Sequence, residues 1–572
     1  MICRCAQWLC LAVLLAALFA GATPLRANEI DLVPARTQST VLPAGKSQSF
    51  GIALHDGDFV QLKVNAEQAV ALIVYLPEGR RFRGTEFGPG EGRFTFVAVK
   101  GGQYRVELSG SDKTVEARCS ITVEEILSQQ ARLAPPPAKY QSPRIEALRA
   151  ALKAGRQGSV QAFWKEMKKQ GAPILEPLPN DNRNMLVTFV WKGTAGTQNV
   201  FVIRLPFAAA APEDYFMTHL SHSDVWYKTL AIDRTTRFEY SIAPNVPQLP
   251  PISEGLDNRA ITLIAAGART DPLNPKVGRV DKTDLDSPDY AGRSYVEMPG
   301  APPQPWIVEQ PDVPAGKVEM QTFPSTLLKN QREIAIYLPP GYSVSAKPYP
   351  LLLLFDEVVY LGNRDQVVLV PTPTILNNLI KAGKIPAVVA LLIGNVPGGR
   401  DRELGCNRTF SDSLVSELLP WAHARFNFTA DPSLTVVGGL SLGAVAAMCA
   451  ALHHPEAFGN VLSQSGAFWW KPPQDDGSSS PGTESEPNWM ARKFAATPKL
   501  PLRLYLCAGT EEIDFSTGGG IVFFNRGLRD VLRAKGYDVV YQEFAGDHDY
   551  LGWRGTLPDG LITLVGSSQP HP

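Results

Sequence analysis

A glycine-flanked serine, Gly439-Leu440-Ser441-Leu442-Gly443, is the feature that most limits what this chain can fold into. The apolar, β-branched residues 434–437 before it are typical of a buried parallel strand. Residues 444–452 after it have the composition of a helix that stops at Pro455. A serine between a strand and a helix predicts a nucleophile elbow, whose hydroxyl group projects into a cleft above the helix N-terminus.

The region around this motif alternates strands with helices. Apolar strands are predicted at residues 349–355, 387–393, 434–437, 503–507 and 539–541, and helices at residues 375–381 and 414–426. Alternation of this kind predicts a parallel sheet with helices on both faces. We therefore expect an α/β-hydrolase catalytic domain over residues 318–567.

Two β-rich regions come before that domain. Short strands separated by Gly and Asp turns over residues 28–127 predict a β-sandwich accessory domain with no catalytic constellation of its own. A proline-rich linker at 134–137 follows. Over residues 128–310, two leading helices and a further set of strands predict a second β-sandwich domain, which a proline-rich segment closes. The expected fold is therefore multidomain, with two β-sandwiches before the hydrolase domain.

The first residues resemble an export signal. Arg4 precedes an apolar run at residues 8–19, and small residues at 20–22 or 25–27 could form the cleavage site. The run is short for a membrane span, and no later stretch is apolar enough to cross a bilayer. We expect residues 1–27 to be a signal peptide and the mature protein to be periplasmic or secreted, with no membrane span.

Net charge and cysteine content give expectations about binding partners, disulfides and metal sites. The formal net charge is −1, so no overall field indicates a nucleic-acid partner. Of seven cysteines, four follow the signal; Cys449 and Cys507 lie in apolar elements and are expected to be buried thiols, while Cys406 is available for a disulfide. No CxxC or HExxH pattern occurs, and we expect neither a metal site nor a cofactor.

The fold predicts how an ester carbonyl would be attacked. Ser441 is the expected nucleophile, and His548, which lies beyond the last strand, is the expected base because the order along this fold is serine, acid, histidine. The oxyanion hole is expected to use the backbone N–H of Leu442 and a second N–H, that of Glu357, after the strand that ends at Asp356.

From about residue 140 to its end, the chain resembles the bacterial enterochelin (ferric siderophore) esterases, which join an N-terminal sandwich to an esterase-D-type hydrolase domain. The matching segments are SDVWY (223–227), DPLNP (271–275), residues 299–306, PTPTILNNLI (371–380), REL (402–404), ELLPW (417–421), SQSGAFWW (463–470), HDY (548–550) and WR (553–554). The first sandwich is an addition to the usual two-domain layout of the family.

The resemblance adds site residues. The family's Ala-Gly-x-x-Glu spacing implies Glu512 as the acid, with Asp514 as the alternative. It implies Arg402 as a cation for an anionic siderophore, and Arg554 is a further candidate. Glu357 stands where the family often has glycine. Independently, Trp469 and Trp470 precede a Ser/Pro/Gly-rich insert that could form a mobile cap, with their rings stacking on the substrate or packing in the core.

These features lead us to expect a serine esterase that hydrolyses the ester backbone of a catecholate siderophore through an acyl-enzyme and so aids iron release. A feruloyl or acetyl esterase acting on carbohydrate esters is the alternative within the same fold. A ligand-binding protein without turnover is the alternative of another class, and the intact set of Ser441, Glu512 and His548 argues against it.

Overall fold

A computed structural model describes residues 30–129, 140–203, 215–246, 267–278, 292–361, 369–472, 488–513 and 520–566. The chain divides into two compact units, the first of which contains the described residues 30–129 and the second those from 140 onward. The expected signal peptide, the insert 473–487 and Asp514 lie outside the described residues.

The described part of the first unit is built from strands. These are β1 (Ile30–Asp31), β2 (Thr37–Leu42), β3 (Ser47–Leu54), β4 (Phe59–Ala66), β5 (Val70–Tyr75), β6 (Arg81–Phe87), β7 (Gly90–Val97), β8 (Gly102–Gly110) and β9 (Ala117–Leu127). They form two sheets, ordered β1-β3-β8-β5-β6 and β2-β9-β4-β7. Val70, Leu72 and Val74 alternate with half-buried neighbours along β5, so that one face of the sheet contributes to a core shared by strands of both sheets.

The second unit begins with a part that we call the sheet region, the described residues between 140 and 307. It contains helices α1 (Pro143–Lys153) and α2 (Ser159–Gln170), and strands β10 (Ile174–Pro177), β11 (Asn184–Lys192), β12 (Val200–Ile203), β13 (Thr218–His219), β14 (Val225–Asp233), β15 (Arg237–Pro244), β16 (Val277–Gly278) and β17 (Arg293–Glu297). The two sheets are ordered β10-β11-β14-β13 and β12-β15-β17-β16. Phe189 on β11 packs edge-on against Tyr240 on β15, so residues of both sheets share a core.

The hydrolase domain, residues 317–566, is organised around an eight-stranded sheet. Its strands are β18 (Lys317–Ser325), β19 (Asn330–Leu338), β20 (Leu351–Phe355), β21 (Val389–Ile393), β22 (Thr435–Leu440), β23 (Asn460–Gln464), β24 (Arg503–Gly509) and β25 (Asp538–Phe544). The order is β18-β19-β21-β20-β22-β23-β24-β25. β19 is antiparallel to both of its neighbours, β18 and β21, whereas the strands from β21 to β25 in this order are parallel to one another.

Helices cover this sheet. They are α3 (Glu357–Leu361), α4 (Thr372–Lys381), α5 (Arg400–Leu404), α6 (Arg408–Ser413), α7 (Leu419–His423), α8 (Leu442–His453), α9 (Trp489–Ala496), α10 (Gly520–Ala534) and α11 (Tyr550–Val565), with a π-helical turn at Leu414–Leu418. Every residue of β20 and β21 is buried, as a strand covered on both faces requires. The alternation of strands and helices confirms the predicted α/β domain.

Parallel strands end at the same edge of a sheet. The loops after β20, β22, β24 and β25 therefore meet along one edge, where open α/β sheets bind their ligands. These loops carry Glu357, Ser441, Glu512 and His548 respectively.

Candidate active site

Ser441 lies in the tight turn between β22 and α8. Its backbone has φ 55° and ψ −118°, a conformation that a residue with a side chain adopts only under strain. A Cβ atom on Gly439 would lie 2.5 Å from the backbone carbon of Gly443, so the turn can close only because glycine stands there. The serine side chain makes no capping hydrogen bond to α8, which leaves its hydroxyl group available for chemistry.

His548 and Glu512 are in direct contact. The imidazole Nδ1 lies 3.3 Å from the carboxylate Oε1, and the Glu512 side chain is 1% exposed whereas that of His548 is 34% exposed. The ring of Trp553 meets the imidazole edge-on, with centroids 4.8 Å apart. With Nδ1 directed at Glu512, the Nε2 atom of the ring is the one left for a substrate proton.

A second carboxylate holds the loop after β20 against the elbow. Asp356 is buried at φ 65°, and it accepts hydrogen bonds of 2.7 and 2.8 Å from Arg400 and one of 2.6 Å from Asn395. A Cβ atom on Gly443 would lie 2.9 Å from its Oδ2 atom. Asp356 therefore fixes the start of α3, whose first residue is Glu357, beside the start of α8.

The carboxyl group of Glu357 is unusual at this location. Burial, with a further contribution from the charge of Glu333, raises the pKa of Glu357 to about 7. A glycine at this position would carry no such group. Glu357 therefore brings a carboxyl group that titrates near neutral pH to the loop that was predicted to supply the second oxyanion donor.

The arginines in the segment after β21 differ in their surroundings. Arg400 pairs with Asp356, and Arg408 pairs with Asp412 at 2.8 Å. Arg402 is exposed, and within the described residues it forms no ion pair. It is therefore the arginine of the α5–α6 segment whose charge is open to an anionic ligand.

Arg554 was expected to contact substrate, but its guanidinium group is already engaged. It donates to Glu297 at 3.1 Å and to Gln304 at 2.8 Å, both in the sheet region, and its side chain is 15% exposed. Burial lowers the pKa of Arg554 and the charge of Glu297 opposes that effect, so the group stays charged and paired. The sequence around Arg554 could not reveal these partners, which lie more than 240 residues away along the chain.

Trp469 and Trp470 are both half-buried. Trp469 packs at a tilt on Phe524 in α10, with ring centroids 5.5 Å apart. The indole nitrogen of Trp470 is buried beside Gly405 and has no hydrogen-bond partner among the described residues. Both rings therefore contribute to packing in the hydrolase domain. In the sequence they precede the insert 473–487, which was predicted to form a cap and lies outside the described residues.

The structure also contains a crosslink that the sequence analysis did not pair. Cys406 and Cys449 form a disulfide that joins the segment between α5 and α6 to the elbow helix. The expectation of a buried thiol at Cys449 was wrong, because the apolar composition of α8 gave no indication of a partner 43 residues earlier. Cys507 is a buried free thiol as expected, and burial raises its pKa to about 12.

The described residues contain no group of three His, Cys, Asp or Glu side chains arranged to hold a metal ion. None of the helices in those ranges combines the length and apolar character that a membrane crossing needs.

Comparison with protein families gives two matches. An esterase family model covers residues 325–564. A second model, described as the N-terminal domain of enterochelin esterase, covers residues 186–307. The two matches correspond to the hydrolase domain and to most of the sheet region.

Curated relatives match over most of the chain. An iron(III) enterobactin esterase of Dickeya dadantii is 30% identical over 447 residues, which is 74% of this chain and 97% of that protein. An iron(III) salmochelin esterase of Escherichia coli is 27% identical, over 74% of this chain and 98% of that protein.

Solved structures agree with these matches. A ferric enterobactin esterase from Salmonella typhimurium has a TM-score of 0.56 and 28% identity, over 71% of this chain and 98% of that one. An enterobactin esterase from Shigella flexneri, solved in the presence of enterobactin, has a TM-score of 0.55 and 27% identity, over 72% and 98%.

Proposed function

This chain belongs to the enterochelin esterase family and is an ester-hydrolysing enzyme, and from this premise we propose that it is a serine esterase that cleaves the ester backbone of a catecholate siderophore of the enterobactin type. The observation that carries the proposal is the contact of 3.3 Å between His548 and Glu512, at the same sheet edge as the strained Ser441. The names of the relatives support the class of substrate.

The proposed reaction passes through an acyl-enzyme. The Oγ atom of Ser441 attacks the ester carbonyl while Nε2 of His548 accepts its proton. When the carbonyl re-forms, the C–O bond to the neighbouring serine unit of the siderophore breaks, and His548 returns the proton to that alkoxide. A water molecule, deprotonated by the same imidazole, then releases the acid and restores Ser441. Glu512 fixes the tautomer of His548 and stabilises its cation.

The developing oxyanion needs two donors. We assign the first to the backbone N–H of Leu442, at the start of α8, and the second to that of Glu357, at the start of α3. The bonding of Asp356 to Arg400 and Asn395 supports this assignment because it holds the Glu357 segment in place before substrate binds. Loss of one such donor costs about 3 kcal/mol of transition-state stabilisation.

Recognition of the substrate is assigned to charge and aromatic surface. A ferric catecholate complex is anionic, and Arg402 offers an exposed cation without an ion-pair partner in the described ranges. Trp469 and Trp470, half-buried next to the insert 473–487, could stack on a catechol ring with their exposed parts. No protein cofactor is required by this mechanism, since the iron belongs to the substrate.

The proposal includes export and domain organisation. The Cys406–Cys449 disulfide is compatible with an oxidising compartment, such as the periplasm or the outside of the cell, where the signal-like residues 1–27 would direct the chain. The paired sheets of the first unit and of the sheet region support a β-sandwich architecture for residues 28–127 and 128–310, before the catalytic domain at 318–567.

Mass spectrometry of reactions with ferric and iron-free enterobactin tests the function. Linear and shorter products that appear with the purified protein and not with its Ser441→Ala variant are expected. Feruloyl and acetyl sugars, assayed in parallel, are expected to react far more slowly. If those sugars are cleaved efficiently while enterobactin stays intact, the enzyme acts on carbohydrate esters and the siderophore assignment is wrong.

A further inference from the structure

The loop that carries His548 is bonded on one side to the hydrolase domain and on the other to the sheet region. Within the hydrolase domain, Glu511 donates its backbone N–H to Gly546 at 3.0 Å. From the sheet region, the N–H of Arg237, the first residue of β15, donates to Ala545 at 3.4 Å, and Arg237 forms a parallel bridge with Gly546. The first residue of β15 is therefore hydrogen-bonded to the backbone of this loop just before His548.

The first turn of α11, directly after the loop, is bonded to the sheet region as well. Gln304 donates from Nε2 to the carbonyl of Leu551 at 2.7 Å and accepts from Arg554 at its Oε1 atom at 2.8 Å. Arg554 also donates to Glu297 at 3.1 Å. Both ends of the His548 loop are thus attached to the same neighbouring region.

The attachment reaches the imidazole through Trp553, the residue before Arg554. The Trp553 ring stands perpendicular to the His548 ring, and its Nε1 donates to Ser465 at 2.8 Å. A shift of the first turn of α11 would therefore move the ring against which His548 rests. Misplacement of a reacting group by about 1 Å can reduce a rate roughly 100-fold.

We propose that the sheet region positions the catalytic base, with Arg554 and Gln304 as positioning residues that act on His548 through the first turn of α11. The inference rests on the proposed role of His548. The sheet region then contributes to turnover itself, in addition to any part it has in binding substrate.

Glu297 provides the negative charge with which Arg554 pairs. It lies within 3.2 Å of Arg237 and Lys276 as well as 3.1 Å from Arg554. Burial acts to raise the pKa of Glu297, but hydrogen bonds from Lys276 and Arg237 and the charge of Arg554 hold it below its ordinary value. Because two cations remain when Arg554 is removed, an Arg554 variant does not leave a buried carboxylate unpaired.

The test measures kcat and KM for p-nitrophenyl acetate, a small ester whose binding does not depend on siderophore recognition. Arg554→Met is expected to lower kcat about 10- to 100-fold and to change KM less than about three-fold. Arg554→Lys, which can still reach Glu297, is expected to recover much of the loss. Arg503→Met is the matched control. It removes an arginine that pairs with Asp538 at 3.0 Å, at the starts of β24 and β25, the strands that precede Glu512 and His548. Its kcat should stay within about two-fold of the original.

A second variant keeps the test decisive if Arg554→Met does not fold. Gln304→Met removes the hydrogen bonds to Leu551 and Arg554, and a loss of kcat in the same direction is expected. A wild-type kcat in either folded variant overturns the inference. A loss of kcat that Arg554→Lys does not restore and that parallels a loss of thermal stability overturns it as well.

The two proposals fail in different ways. If Ser441-dependent hydrolysis of p-nitrophenyl acetate is present but enterobactin is not cleaved, the siderophore assignment is wrong and the positioning test can still be read. If enterobactin is cleaved normally by Arg554→Met, the positioning role is wrong and the function stands.

Discussion

The carboxylate of Asp356 occupies the space into which a side chain at Gly443 would project, with Oδ2 only 2.9 Å from the position of a Cβ atom. The carboxylate cannot retreat easily, because Arg400 and Asn395 hold it with three hydrogen bonds. The glycine after the nucleophile thus allows the loop after β20 to approach the elbow helix.

Gly443→Ala should therefore displace this loop and the backbone N–H of Glu357. We expect kcat to fall about 10- to 100-fold. One oxyanion donor contributes about 3 kcal/mol of transition-state stabilisation, and only part of it should be lost because the donor is displaced but still present. Kinetics with p-nitrophenyl acetate measure the effect. Gly196→Ala is the control, because a Cβ atom there would meet only Thr194 Oγ1 at 3.9 Å. Equal activity in both variants would argue against a role for this approach in catalysis.

Replacing the buried acid Glu512 by glutamine, a side chain of similar volume, should impair the base His548. Glu512→Gln is expected to lower kcat roughly 100- to 10,000-fold, because the neutral amide cannot stabilise the imidazolium formed in the reaction. Glu511→Gln serves as the matched neighbour and should retain activity within about three-fold. A comparable loss in both variants, measured by steady-state kinetics, would count against Glu512 as the acid.

Glu357 should make the folded protein less stable as the pH rises towards 7. Burial raises its pKa to about 7 from an ordinary value near 4.5, so the unfolded chain releases the proton first and the folded state loses stability across that interval. Glu357→Gln should abolish this loss. Since the carboxyl group is only half-buried and partly screened by solvent, we expect a gain of about 1 kcal/mol at pH 8.

Urea unfolding at pH 3 and at pH 8 measures this gain. It should be present at the higher pH and absent at the lower one, where both states keep the proton. Glu309→Gln, which changes an exposed carboxylate, should show no such difference between the two pH values. A Glu357→Gln variant with the same pH dependence as the original chain would contradict the expectation.

Arg402 should affect charged substrates selectively. Arg402→Met is expected to raise KM for ferric enterobactin about 5- to 20-fold, since a charge-assisted contact contributes about 1 to 2 kcal/mol, while p-nitrophenyl acetate is hydrolysed normally. Arg408→Met is the control, because that arginine is already paired with Asp412. If both substrates respond equally to Arg402→Met, the arginine does not recognise charge on the substrate.

Removal of the disulfide should destabilise the hydrolase domain. With a sequence separation of 43 between Cys406 and Cys449, the chain-entropy relation predicts a loss of about 4 kcal/mol in the Cys406→Ser, Cys449→Ser double variant. Unfolding by urea, with and without reductant, gives the measurement. Reductant should lower the stability of the original chain and leave the double variant unchanged, whereas identical curves for the two proteins would show that the crosslink contributes no stability.

Much of the hydrolase domain could be predicted because its signals are local. The run of four leucines and Phe355 in β20 must be buried on both faces, and the helix after Ser441 has the composition of a buried helix. Element ends were less accurate: the strand expected at 503–507 extends to Gly509, and the helix expected at 414–426 begins with a π-helical turn and ends at His423. Such ends depend on hydrogen bonds to neighbouring strands and turns, which no local pattern contains.

The chain alone determined the order of strands and helices around the elbow and indicated Ser441 and His548, because strand, turn and helix signals are properties of neighbouring residues, whereas Glu512 was implied by the resemblance to the esterase family. Only the tertiary structure decided that Arg554 pairs with Glu297, that Cys449 is joined to Cys406, and that Asp356 lies against Gly443. Each of these contacts joins residues at least 43 positions apart, so its partners are chosen by how the packed elements bring their side chains together and not by the sequence around either one.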